Sequence, residues 1–80
     1  MSAVLKAING MNRAIRIILN GFPEKVPENI TISDLINRFE ENDGDLIVEH
    51  NGRFVYPQKY STVVASEGDR FEFINPNFGG

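Results

Sequence analysis

Two Asn-Gly dipeptides, at 20–21 and 51–52, each lie between short runs of alternating, β-branched residues. Asparagine and glycine tolerate positive φ at both centres of a tight turn, so each pair predicts an antiparallel hairpin. Before the first, Ile15, Ile17 and Leu19 alternate with Ala14, Arg16 and Ile18, which predicts a strand over 13–19 with two rather apolar faces. Residues 22–26 return from the turn, and Pro23 and Pro27, which cannot donate to a ladder, assign that strand to a sheet edge. Residues 46–50 and 53–55 flank the second turn as two more strands. After Glu67-Gly68-Asp69, residues 70–74 read as a last strand with Phe71 and Phe73 on one face.

Between the hairpins the pattern changes period. Thr31-Ile32-Ser33-Asp34 reads as a capping box with aspartate in the place of glutamate. Ile32, Leu35, Ile36 and Phe39 then fall at i, i+3, i+4 and i+7, with Asn37, Arg38, Glu40 and Glu41 facing water, which predicts an amphipathic helix of about three turns. Asn42-Asp43-Gly44 ends it, Gly44 being expected in the left-handed conformation. Mixed strands and one helix make an α+β domain over 13–75. Residues 1–12, which end in Asn9-Gly10 before Met11, read as an arm, and 76–80 as a tail ending in Gly79-Gly80.

The 80 residues carry a formal net charge of -3 and no cysteine. Thiolate metal sites, disulfides and cysteine nucleophiles are thereby excluded. The basic residues do not cluster, so a nucleic-acid partner is not expected. The most apolar stretch, 14–19, is far too short to span a bilayer, and the start lacks a basic leader followed by a long apolar run, so no membrane is expected and the location is read as cytoplasmic.

Catalytic material is thin. His50, the one histidine, shares a strand face with Leu46 and Val48 and is expected to line the core where an aliphatic residue would serve. A small hydrolase using it with a nearby acid would instead need it exposed in a cleft. Tyr56 and Tyr60 are expected to pack their loop against the sheet. No glycine-rich phosphate loop opens a helix, because the terminal glycines follow the last strand. Those glycines lack Cβ atoms, so their backbone can thread a slot that any side chain would block.

The order of hairpin, capped helix, Val48-Glu49-His50-Asn51-Gly52 hairpin, Glu67-Gly68-Asp69, Phe71-Glu72-Phe73 strand and Gly79-Gly80 resembles the ubiquitin-like sulfur carriers of the ThiS/MoaD superfamily, ThiS most closely. The resemblance spans about residues 15–80. It implies a β-grasp fold, a mixed sheet of about four to five strands packed on one helix. It also implies a protein co-substrate rather than an enzyme, with no bound cofactor or metal. Gly80 would be adenylated by an E1-like enzyme of the ThiF/MoeB kind using ATP and magnesium, and a persulfide donor would then convert it to a thiocarboxylate. A sulfur-acceptor synthase, thiazole synthase for thiamin first, would consume that sulfur. Gly79 and Phe78 would govern access of the tail, and Ile74, Phe54 and Arg70 would dock the activating enzyme. The free carrier is expected to be a monomer.

Two departures from the family pattern leave alternatives open. Asn75-Pro76-Asn77-Phe78 is stiffer and more polar than the family's aliphatic approach to its glycines, which keeps homocysteine or cysteine synthesis, then molybdopterin synthesis, as other destinations of the sulfur. His50 stands where the pattern has an aliphatic residue. A β-grasp binding module with incidental glycines is the rival of a different class.

Overall fold

The computed structural model describes residues 13–39 and 44–76. In chain order these form β1 (Ala14–Leu19), β2 (Phe22–Pro27), α1 (Ile32–Arg38), β3 (Ile47–His50), β4 (Arg53–Val55), a 3₁₀ turn (Pro57–Lys59) and β5 (Arg70–Ile74). The strands make one sheet in the order β2-β1-β5-β3-β4. β1 and β5 run parallel at its centre, and the two hairpins and the β3–β5 pair are antiparallel. This is the mixed five-stranded β-grasp arrangement, with the last strand inserted between the hairpins.

Each turn forms for the reason its residues supply. Asn20 and Gly21 take φ of 50° and 86°, and Asn51 and Gly52 take 52° and 84°. Both prolines lie in β2, at an outer edge of the sheet. Gly68, with φ of 84°, turns the chain into β5. Both asparagines also reach across to that strand. Asn20 Oδ1 accepts from the Phe73 amide and Asn51 Oδ1 from the Arg70 amide, each at 2.8 Å.

The capping box forms in full: Thr31 Oγ1 accepts from the Asp34 amide and Asp34 Oδ2 from the Thr31 amide, both at 3.1 Å. The helix is shorter than its periodicity predicts. Phe39, with φ of -101° and ψ of 11°, has left helical geometry, so α1 makes two turns where three were expected. Gly44 does not adopt positive φ and lies five residues past Phe39, so it does not cap the helix. The apolar stripe holds nevertheless, since Ile32 and Leu35 are fully buried and Ile36 and Phe39 pack at the core's margin.

One core joins α1 to the inward residues of every strand: Ile17 and Leu19, Val26, Val48, Val55, Phe71 and Phe73. The segment between β4 and β5 is tied to the start of the helix. Val63 and Tyr60 carbonyls accept from the Ile32 and Ser33 amides at 3.1 and 2.9 Å, and Ala65 donates to Ile30 at 2.8 Å. The N-terminal arm lies outside the described residues, as does the tail beyond Pro76.

Candidate functional site

Strand alternation gives the sheet a second face, opposite α1. Phe71 and Phe73 are buried, so Arg70, Glu72 and Ile74 point the other way, and all three are exposed. The register continues this face onto the neighbouring strands, with Ile47 opposite Ile74, Glu49 opposite Glu72 and Phe54 opposite Glu49. Ile74, Phe54 and Tyr56 are 40%, 50% and 63% exposed. The rings of Phe54 and Tyr56 meet edge to face, with centroids 4.8 Å apart. An apolar cluster of Ile47, Ile74, Phe54 and Tyr56 therefore lies in the open at the carboxyl end of β5.

Of the three predicted docking residues, the structure brings two together. Ile74 and Phe54 share this cluster through Ile47, which stands on the strand between them. Arg70 lies on the same face but opposite Ile18, four residues back along β5 and about 13 Å from Ile74 at ~3.3 Å per residue. Phe78, Gly79 and Gly80 lie outside the described residues. Sequence reasoning missed Ile47 and Tyr56. Ile47 was legible, because assigning Leu46 and Val48 inward forces it outward, and Tyr56 follows Phe54 by two positions.

The two tyrosines divide, contrary to the expectation that both pack their loop down. Tyr60 lies against the core and its hydroxyl donates to the Leu46 carbonyl at 3.4 Å, with burial raising its pKa above the usual 10.0. Tyr56 turns to the open face instead.

His50 is also more than a stand-in for an aliphatic residue. Its ring stacks on Phe71 with centroids 4.6 Å apart, and its Nε2 lies 2.8 Å from Asp69 Oδ2. Asp69 Oδ2 also accepts from the Ser66 amide at 2.8 Å, and its Oδ1 accepts from the Asn51 side chain at 3.1 Å. Burial pushes the Asp69 carboxyl up, but the bonds from His50, Ser66 and Asn51 outweigh it and hold the pKa below the usual 3.8. The group latches the second hairpin turn to the Glu67-Gly68-Asp69 turn. Sequence reasoning could not pair two residues so far apart in the chain. The imidazole is committed to Phe71 and Asp69, and among the described residues no serine or threonine hydroxyl is bonded to it. Among the described residues no three His, Cys, Asp or Glu side chains are grouped to hold a metal ion, and no helix is long and apolar enough to cross a membrane.

The fold has a counterpart among solved structures. The crystal structure of the thiamine biosynthesis protein ThiS from Geobacter metallireducens is similar, with a TM-score of 0.73 and 23% sequence identity over 82% of this chain and all of that one. No curated protein sequence matches. The sequence model of the ThiS family matches residues 8–80, from the arm through both hairpins and the helix to the terminal glycines. The chain belongs to the ThiS family of small sulfur-carrier proteins.

Proposed function

We propose that the protein carries sulfur for thiazole formation in thiamin biosynthesis, with Gly80 as the carrying residue. The supporting observation is a family match that runs through Gly79-Gly80, joined to an exposed apolar face beside the strand that leads to them. Gly80 follows Ile74 by six residues, so the chain lets its carboxylate reach no farther than about 20 Å from the docking cluster. An enzyme that grips the sheet at Ile74 and Phe54 can therefore hold the tail in its own catalytic cleft. Arg70 would meet the rim of that enzyme, where a charge acts mainly on encounter rate and orientation.

The chemistry follows from the weak electrophilicity of a carboxylate. A Gly80 carboxylate oxygen attacks the α-phosphorus of ATP, held with magnesium by a ThiF/MoeB-like enzyme, and pyrophosphate leaves. A persulfide's outer sulfur then attacks the acyl carbon and expels AMP. A second thiol breaks the resulting sulfur–sulfur bond, leaving the thiocarboxylate on Gly80 and a disulfide on the donor. The thiocarboxylate concentrates its charge on sulfur and can hand that atom to a thiazole synthase without free sulfide. Gly79, without a Cβ, and Phe78 would determine how the tail enters each cleft.

The test is genetic. In cells that lack their own carrier and thiamin, the full chain restores growth, and the chain shortened by Gly79-Gly80 does not. Growth with the shortened chain would favour a binding module.

A further inference from the structure

The two edges of the sheet are finished differently. Residues along an antiparallel strand turn their N–H and C=O groups alternately to one side and the other. The Glu28 amide donates to the Arg13 carbonyl at 2.6 Å, continuing the β1–β2 register, so Phe22, Glu24 and Val26 bond to β1 while Pro23, Lys25 and Pro27 face outward. Two of those three lack an N–H, which closes this edge to a further strand. On the other side, the Asn51 amide donates to the Arg70 carbonyl at 2.7 Å, which turns Val48 and His50 toward β4. Their partners Val55 and Arg53 bond back to them, and the N–H and C=O of Phe54 are left at the open edge. No proline lies in β4. A groove of about 370 Å³ lies at this edge, lined by Phe54 with Arg53, Val55, Tyr56, Lys59 and Val63, and by His50, whose ring nitrogen is committed to Asp69. Val55 and Val63 belong to the core and its margin. The Arg53 and Lys59 side chains are exposed and have no ion-pair or hydrogen-bond partner among the described residues.

We infer that the β4 edge receives an extended acidic segment of a partner protein, which adds a strand to the sheet by pairing with Phe54 and sets its carboxylates against Arg53 and Lys59. Main-chain bonds to an exposed edge give such an added strand its affinity, and side chains alternating along it give specificity. The groove's charge selects the occupant. A second copy of this chain, pairing edge to edge, would bring the Arg53 and Lys59 of both copies into one seam, and like charges facing across a ladder destabilise it. An acidic strand meets the same two cations with opposite charge. The inference goes beyond the carrier reading and does not depend on the chemistry of Gly80.

The experiment titrates the full chain, isotopically labelled for amide NMR, with three short synthetic peptides: one alternating valine with aspartate, one with lysine in place of aspartate, and the aspartate peptide with every backbone nitrogen methylated. The aspartate peptide is expected to shift the amide signals of residues 53–55 and to slow hydrogen exchange at the Phe54 amide about fivefold or more. It is expected to bind about fivefold or more tighter than the lysine peptide at low salt, with the gap narrowing at high salt, and the methylated peptide is expected not to bind. Arg53→Glu combined with Lys59→Glu is expected to reverse the preference between the two charged peptides, and its thermal unfolding checks that it folds. The three peptides on the wild type decide the matter without that variant. No change at residues 53–55, equal binding of the two charged peptides, binding of the methylated one, or self-association of the chain through β4 on dilution series would overturn the inference.

Discussion

The side chain of Asn20 accepts a hydrogen bond from the backbone amide of Phe73 at 2.8 Å, tying the first hairpin turn to the strand that leads to the terminal glycines. Asn20 therefore does two separable things, since it also supplies the turn's positive φ of 50°. Asn20→Gly keeps the φ and loses only the bond, so it is expected to cost about 0.5–1.5 kcal/mol. Asn20→Ala loses both and is expected to cost about 1–2 kcal/mol more from left-handed strain. Denaturant unfolding of the two variants measures the difference; equal losses would show that the turn does not depend on the residue's tolerance of positive φ.

The helix start gives a second prediction. Thr31 accepts from the Asp34 amide as N-cap, so Thr31→Ala is expected to lower stability by about 1 kcal/mol. Leu35, fully buried on the same helix, is expected to cost about 2–5 kcal/mol as Leu35→Ala. Urea midpoints on both variants check the order, and a larger loss for the cap than for the core residue would contradict the packing described.

Acid unfolding should reveal the latch between Asp69 and His50. The Asp69 carboxyl is lowered in the folded protein, so its stabilising contribution is present above the unfolded value of 3.8 and is lost as pH falls through the lower, folded value. Stability of the wild type should therefore fall with pH below about 4, and Asp69→Asn should flatten that limb while lowering the plateau above it. Thermal unfolding between pH 2 and pH 7 reads both effects; identical slopes for the two proteins would remove the latch.

The proposed docking role can be separated from the fold because Ile74 and Phe54 are exposed. Ile74→Glu and Phe54→Glu are expected to change folding stability by less than about 1 kcal/mol. Sulfur loading by the activating enzyme is expected to fall at least about tenfold, as for a charge buried in an apolar contact. Full loading of both variants would place docking elsewhere.

Much of this was legible in the residues for local reasons. The turn asparagines and glycines, the capping box, the edge prolines and the alternation of Phe71 and Phe73 each act within a few residues of their own position. Ile36 and Phe39 keep the spacing of a helix although Phe39 has left helical geometry, so spacing alone overstates the helix by about one turn. The resemblance to a known family implied a mixed β-grasp sheet, but the parallel β1–β5 pair and the strand order come from the structure, since nothing local in 14–19 or 70–74 names its partner. The latch of His50 to Asp69 and the facing of Glu49 and Glu72 depend on that register and so were hidden. Alternation along β4 and β5 turns Phe54 and Ile74 outward, whereas the place of Ile47 between them and the distance of Arg70 from them follow from the register.

The central claim is that Gly80 carries sulfur, and intact-mass analysis of the protein taken from its native cells, combined with thiol-specific alkylation, tests it most directly. The chain has no cysteine, so an alkylatable sulfur has no ordinary residue to come from. The account predicts a species heavier by the exchange of one oxygen for one sulfur, alkylated once and mapped to the peptide ending in Gly80. A protein that stays unalkylated at its unmodified mass, even when ATP, magnesium, a persulfide donor and the activating enzyme are supplied, would contradict it.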